Sequence, residues 1–135
     1  FENLHVIAGQ GTAALELLED VPDLDVVVAP VGGGGLCAGT AVVVRSLRPA
    51  AQMLGAEPKA VDDAARSMAT GVRQPRVDGA VTWGDGLMTG LGEPNFALMQ
   101  KHAVRVVTVD EQAMVDGSCF FLQRMKTVVE PSAAT

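Results

Sequence analysis

Four consecutive glycines, Gly32 to Gly35, sit between the apolar run Val26-Val27-Val28-Ala29-Pro30-Val31 and the apolar stretch that begins at Leu36. Four residues without Cβ open backbone conformations closed to other residues and let several N–H groups converge on one point. A helix starting at Leu36 would add unsatisfied N–H donors and the positive end of its dipole. Such a strand–loop–helix junction is a cradle for a phosphate built from main chain, so it needs no cluster of basic side chains. The alternative is a flexible linker or a tight turn, but a linker is normally flanked by polar residues. The run matches neither the dinucleotide pattern G-x-G-x-x-G with its ribose-binding acid nor the P-loop, since no Lys-Ser/Thr follows.

The rest of the chain alternates in the same way. Thr12 offers an N-cap for a helix over Ala13 to Glu19 with Leu15 and Leu18 inward, stopped by Asp20-Val21-Pro22-Asp23. Asp25 to Pro30 and Gln52 to Ala56 read as strands, Leu36 to Arg48 and Val61 to Ala69 as helices closed by Pro49 and Gly71. Val72 to Gly92 is irregular around one short strand at Ala80 to Trp83. Phe96 to His102 follows as helix, Val104 to Val109 as strand, and Glu111 to Arg124 as a helix burying Met114, Cys119 and Leu122. This order predicts an α/β fold, a mostly parallel twisted sheet with helices on both faces. With 4 % aromatic residues and no Tyr, small and aliphatic side chains must fill the core. Strands buried on both faces suit that composition.

Length and charge bound the function. At 135 residues the chain fits one domain. A net charge of −6 argues against nucleic-acid binding, and no apolar run is long enough for a membrane span. Cys37 and Cys119 lie in unrelated apolar segments, which reads as two reduced core thiols of a cytoplasmic protein.

Five motifs then occur in order: Ala8-Gly9-Gln10-Gly11-Thr12, Pro30 to Leu36, Gly55-Ala56-Glu57-Pro58, Asp85-Gly86, and Arg124-Met125-Lys126-Thr127-Val128-Val129-Glu130-Pro131-Ser132. Together they resemble the large-domain half of the pyridoxal-phosphate-dependent serine/threonine dehydratases (ammonia-lyases) and the similar serine racemases. The resemblance spans essentially the whole chain and implies the large domain of a tryptophan-synthase-β-like (fold type II) enzyme. It implies that residues 1–135 are a single pyridoxal-phosphate-binding portion, truncated at both ends. It assigns the cofactor's phosphate to Gly32, Gly33, Gly34, Gly35 and the amide of Leu36, and places Gly86 and Glu130 beside the cofactor. The substrate implied is a β-hydroxy amino acid, converted to a 2-oxo acid and ammonia. Serine racemase or hydroxyaspartate dehydratase is the near alternative, and a homodimer is the expected assembly. The family's cofactor-bonding lysine stands in a Ser-x-Lys-x-Arg-Gly setting that Lys59, Lys101 and Lys126 lack, so the catalytic lysine is expected outside this chain. The reading from another class is a non-catalytic cofactor-binding module.

A second constellation follows the second strand. Glu57, the Val61 carbonyl and Asp63 can meet across a turn and a helix start as hard oxygen ligands for Mg²⁺ or another divalent cation, and the resemblance places a cation there. The alternative is that Asp62 or Asp63 caps a helix beginning near Ala64 while Glu57 lies at the surface. Glu130 likewise reads either as a pocket residue or as a surface carboxylate. Trp83 departs from the family pattern and reads as a core filler, and Ala133 stands where the family has glycine. His5 and His102 have no partner pattern.

Overall fold

The computed structural model describes residues 1–135. It contains α1 (Leu4–Asp20), β1 (Val26–Pro30), α2 (Gly35–Leu47), β2 (Gln52–Pro58), α3 (Asp63–Thr70), α4 (Glu93–Lys101), β3 (Arg105–Val109) and α5 (Glu111–Phe120). The three strands are parallel in the order β1-β2-β3, with Pro30 beside Ala56 and Pro58 beside Val109. All carboxyl ends therefore open on one edge, where α/β sheets place their ligands.

Alternation along the strands sorts the helices onto the two faces. Val27, Ala29 and Met53 point into a core shared with Ala38, Ala41 and Val44 of α2 and Phe96 and Met99 of α4. Pro58 points the other way, and there it and Met114 of α5 close around Gly84. Helices thus lie on both faces. The second cover reaches only the β2–β3 end, and Val26 and Val28 stay exposed. The expectation that β1 is buried on both faces is corrected accordingly.

α1 begins much earlier than expected. Asn3, not Thr12, caps it, its side chain accepting from the His5 amide at 2.8 Å. Thr12 lies inside the helix and donates to the Gly9 carbonyl. Gly9 and Gly11 mimic a loop in the sequence, yet Gly11 is there for packing. A Cβ on Gly11 would lie 3.0 Å from the Gly39 carbonyl oxygen, and one on Gly39 would lie 2.8 Å from the Gly11 nitrogen. The glycine pair brings the α1 and α2 backbones together, with Ile7, Gly11, Ala14 and Leu18 inward and Leu15 exposed.

Further corrections fall toward the C-terminus. No strand forms at Ala80 to Trp83; only a 3₁₀ turn at Asp85–Leu87 interrupts the connection. Trp83 is 63 % exposed and fills no core. Of the three residues expected inside, only Met114 is buried; Cys119 lies still within α5, and Leu122 in the π-helical turn Phe121–Met125 that follows it. Cys119 and Leu122 face outward. Cys37 is buried as expected, and burial pushes its thiol up to about 12. No helix is long and apolar enough to cross a membrane.

Candidate functional site

The glycine loop leaves β1 after the Val31 amide has bonded to the Ala56 carbonyl at 2.8 Å, the last ladder bond before the chain turns. Gly34 then adopts φ +85°, the left-handed region that a Cβ penalises, and α2 starts at Gly35 with no side-chain cap. The first helical bond is donated by Ala38 to the Gly34 carbonyl. The amides from Gly32 to Cys37 consequently have no partner in the chain. Main-chain donors are seldom left so at a buried turn without a ligand or water to meet them.

Of these residues, Gly32 to Leu36 border a cavity of about 540 Å³ that also collects Phe1, Gln10, Gly86, Leu87, Thr89, Glu130 and Ser132. Every residue expected at the cofactor, Gly32 to Leu36 with Gly86 and Glu130, thus lies on one cavity wall or another. The space is tight as well as open: a Cβ on Gly32 would come 3.0 Å from Thr89 Oγ1 and from the Leu87 backbone. On the far wall the Gly86 amide donates to Ser132 Oγ at 3.0 Å, and the same serine leaves no room for a side chain at position 86. Glu130 is solvent-exposed on the cavity rim, its Oε1 close to Gly86. Sequence reasoning missed Ser132 as a wall residue. It stands within the Glu130-Pro131-Ser132 motif, but only the fold brings it across to Gly86. The free donors, the positive-φ glycine and the open cavity beside them fit a phosphate-bearing cofactor.

The second constellation is arranged differently. Glu57 is buried rather than superficial, and its two oxygens accept from the Ala64 and Ala65 amides at 3.0 and 2.9 Å. It caps α3 from a distance, while Asp62, at the N-cap position, makes no capping bond and instead pairs with Arg66 at 2.8 Å. Asp63 is buried too and accepts from the Leu91 amide at 2.8 Å, tying α3 to the segment before α4. Burial pushes Glu57 up to about 7, against the two amides that lower it and with the Asp63 and Asp62 charges adding to the rise. Burial likewise raises Asp63, opposed chiefly by the Leu91 amide. Val61 is buried in the 3₁₀ turn between the two acids. No cluster of three or more His, Cys, Asp or Glu side chains forms anywhere in the chain. Any cation here would rest on Glu57, Asp63, the Val61 carbonyl and water.

A family model described as pyridoxal-phosphate dependent enzyme matches residues 1–135. Serine racemase of Dictyostelium discoideum is 43 % identical over 136 residues, covering 100 % of this chain and 42 % of that protein. L-threo-3-hydroxyaspartate ammonia-lyase of Saccharomyces cerevisiae is 42 % identical over 138 residues, covering 98 % and 41 %. The crystal structure of a threonine deaminase from T.th. superposes with a TM-score of 0.96 at 42 % identity, covering 99 % of this chain and 51 % of that one. The chain spans about two-fifths of the length of the curated relatives it matches.

Proposed function

This chain belongs to the pyridoxal-phosphate-dependent enzyme family, and from that premise we propose that it is the phosphate-gripping part of an ammonia-lyase acting on a β-hydroxy amino acid. The observation that carries the reading is the row of unpartnered amides from Gly32 to Leu36, all on residues that line one cavity. When bound, pyridoxal phosphate supplies an electron sink for charge developing at the Cα of an amino acid. The chain's own residues do the rest of the holding. The Gly32, Gly33, Gly34, Gly35 and Leu36 amides take the phosphate oxygens, aided by the α2 dipole. Gly86 keeps its wall clear of side chain, fixed by Ser132. The Glu130 carboxylate, on the cavity rim beside Gly86, is the carboxylate of the cavity, placed to accept a proton.

The test is to assay the full-length protein with L-serine, L-threonine and L-threo-3-hydroxyaspartate. Release of 2-oxo acid and ammonia supports a lyase. A second reading, serine racemase, is favoured by the 43 % identity to the Dictyostelium protein. Formation of D-serine from L-serine, with little oxo acid, would select it. Protein that takes up the cofactor and transforms none of these substrates would overturn both readings in favour of a binding module. A homodimer in the cytoplasm is part of the same proposal, checked by sedimentation and by localisation of the full-length protein.

A divalent cation, Mg²⁺ the first choice, is proposed at Glu57, Asp63 and the Val61 carbonyl. Support comes from two buried carboxylates that no Lys or Arg pairs with, the ion pairs being Arg48–Asp23, Arg66–Asp62 and Arg76–Asp78. Each carboxylate oxygen that accepts one amide keeps a second lone pair for a metal. Calorimetry with Mg²⁺ should give a binding heat that Asp63→Ala abolishes; identical traces would remove the site.

A further inference from the structure

Behind the glycine loop, on the side away from the cavity, stands a fully buried asparagine. Asn95 lies in the first turn of α4 among Leu91, Phe96 and Met99, an apolar setting in which leucine or methionine would pack without polar cost. Its Nδ2 donates to the Gly33 carbonyl at 2.6 Å and lies 3.3 Å from the Phe1 carbonyl, while its Oδ1 finds no partner. Both neighbours are acceptors, so the amide's orientation is settled by chemistry. A second donor, the Gly92 amide, reaches the same Gly33 oxygen at 3.1 Å.

We infer that Asn95 is a positioning residue for the phosphate cradle, pinning the Gly33 carbonyl toward α4 so that the Gly34 N–H turns into the cavity. The step follows from the peptide unit itself. All peptide bonds here are trans, and in a trans peptide C=O and N–H point in opposite directions. Whatever holds the carbonyl on one side commits the following amide to the other. With four glycines in a row the peptide planes have little steric preference of their own, so an external clamp is needed to choose. The loop is pressed against α4 here: a side chain on Gly34 would strike Leu91 Cδ1 at 2.7 Å and Asn95 Cβ at 3.1 Å. A polar side chain with an unsatisfied oxygen in an apolar core is thereby explained by the loop it steers.

The inference rests on the reading that this loop holds the cofactor's phosphate, and the experiment separates the two. In the full-length protein, Asn95→Leu and Asn95→Ala both remove the donor. Gly33→Asp serves as the benchmark for losing the phosphate site, and Met99→Leu as a packing control. Each is titrated with pyridoxal phosphate and with pyridoxal, which lacks the phosphate, and the bound phosphate is observed by ³¹P NMR. The Asn95 variants should weaken pyridoxal phosphate about 10- to 100-fold, as for loss of one charge-assisted bond. They should leave pyridoxal unchanged and move the ³¹P resonance, whereas Met99→Leu should move it not at all. Wild-type affinity and resonance in both Asn95 variants, or equal weakening of the two ligands, would overturn the inference. If Gly33→Asp also leaves pyridoxal phosphate bound as in wild type, the phosphate reading itself falls.

Discussion

Two neighbouring strands each run into the N-terminus of a helix, and the chain treats the two junctions in opposite ways. After β2, the exposed amides of α3 are met from within: Glu57 reaches back and takes the Ala64 and Ala65 N–H groups. After β1, the amides leading into α2 are met by nothing in the chain. The electrostatics of a helix start are the same in both places, a ring of donors and a positive dipole end. One junction carries an internal carboxylate and serves stability. The other carries four glycines and a cavity, and on the proposed reading it takes an anion from outside. A sheet edge can thus hold a structural cap and a ligand cradle side by side, and the side chain present or absent at one position separates them.

The most forceful way to break the comparison is to turn the second junction into the first. Gly33→Asp puts a carboxylate where the loop offers donors, and pyridoxal phosphate affinity should fall more than about 100-fold, equivalent to about 2.7 kcal/mol. Retained cofactor absorbance in the purified variant would contradict that. The converse change, Glu57→Leu, strips α3 of its cap and leaves two amides unmet, a loss of about 2–4 kcal/mol in denaturant unfolding. Stability within about 0.5 kcal/mol of wild type would mean that the cap contributes nothing. Ser132→Ala should cost about 1 kcal/mol by freeing the Gly86 amide, and it should loosen the cavity wall, seen as faster hydrogen exchange at Gly86. Smallest is the effect of His102, held below its ordinary value by burial and then by the charges of Lys101 and Arg45. Because protonation is harder in the folded chain, the His102 contribution to stability should fall as pH drops from about 6.5 through its folded midpoint, opposite in sign to that of Glu57, which grows as pH drops through about 7. His102→Gln should flatten that shallow slope, which a set of unfolding curves at successive pH values can read.

The junctions also show what a sequence makes legible. The glycine loop stood out because strand pattern, four glycines and apolar helix are all local, and the structure puts Gly32 to Leu36, Gly86 and Glu130 around one cavity. Glu57 was legible as a special residue but not as a cap, since its partners lie seven and eight positions ahead and only the turn at Lys59–Val61 brings them back. Gly9 and Gly11 misled for the opposite reason. Their local signal is a loop, and the packing that keeps Gly11 within a helix comes from Gly39 on another element. Trp83, Cys119 and Leu122 carry a buried-residue signal that this stretch of chain does not satisfy: Cys119 comes five residues after Met114 in α5 and so lies about 140° around the helix from it, and Leu122 falls in the π turn. Ser132 and Asn95 gave no signal at all. Each acts on a backbone group far along the chain, Gly86 and Gly33 respectively, and a side chain-to-backbone bond of that range leaves no pattern in spacing.

On this reading main-chain donors hold the phosphate, and their own amide resonances report on it. In the isotopically labelled full-length protein, stripped of cofactor, amide resonances of Gly32 to Leu36 would be followed on adding pyridoxal phosphate and, separately, pyridoxal. The account predicts large downfield shifts at these five amides with the phosphorylated compound and little change there with the other. Equal shifts from both compounds, or none from either while the cofactor binds, would contradict it.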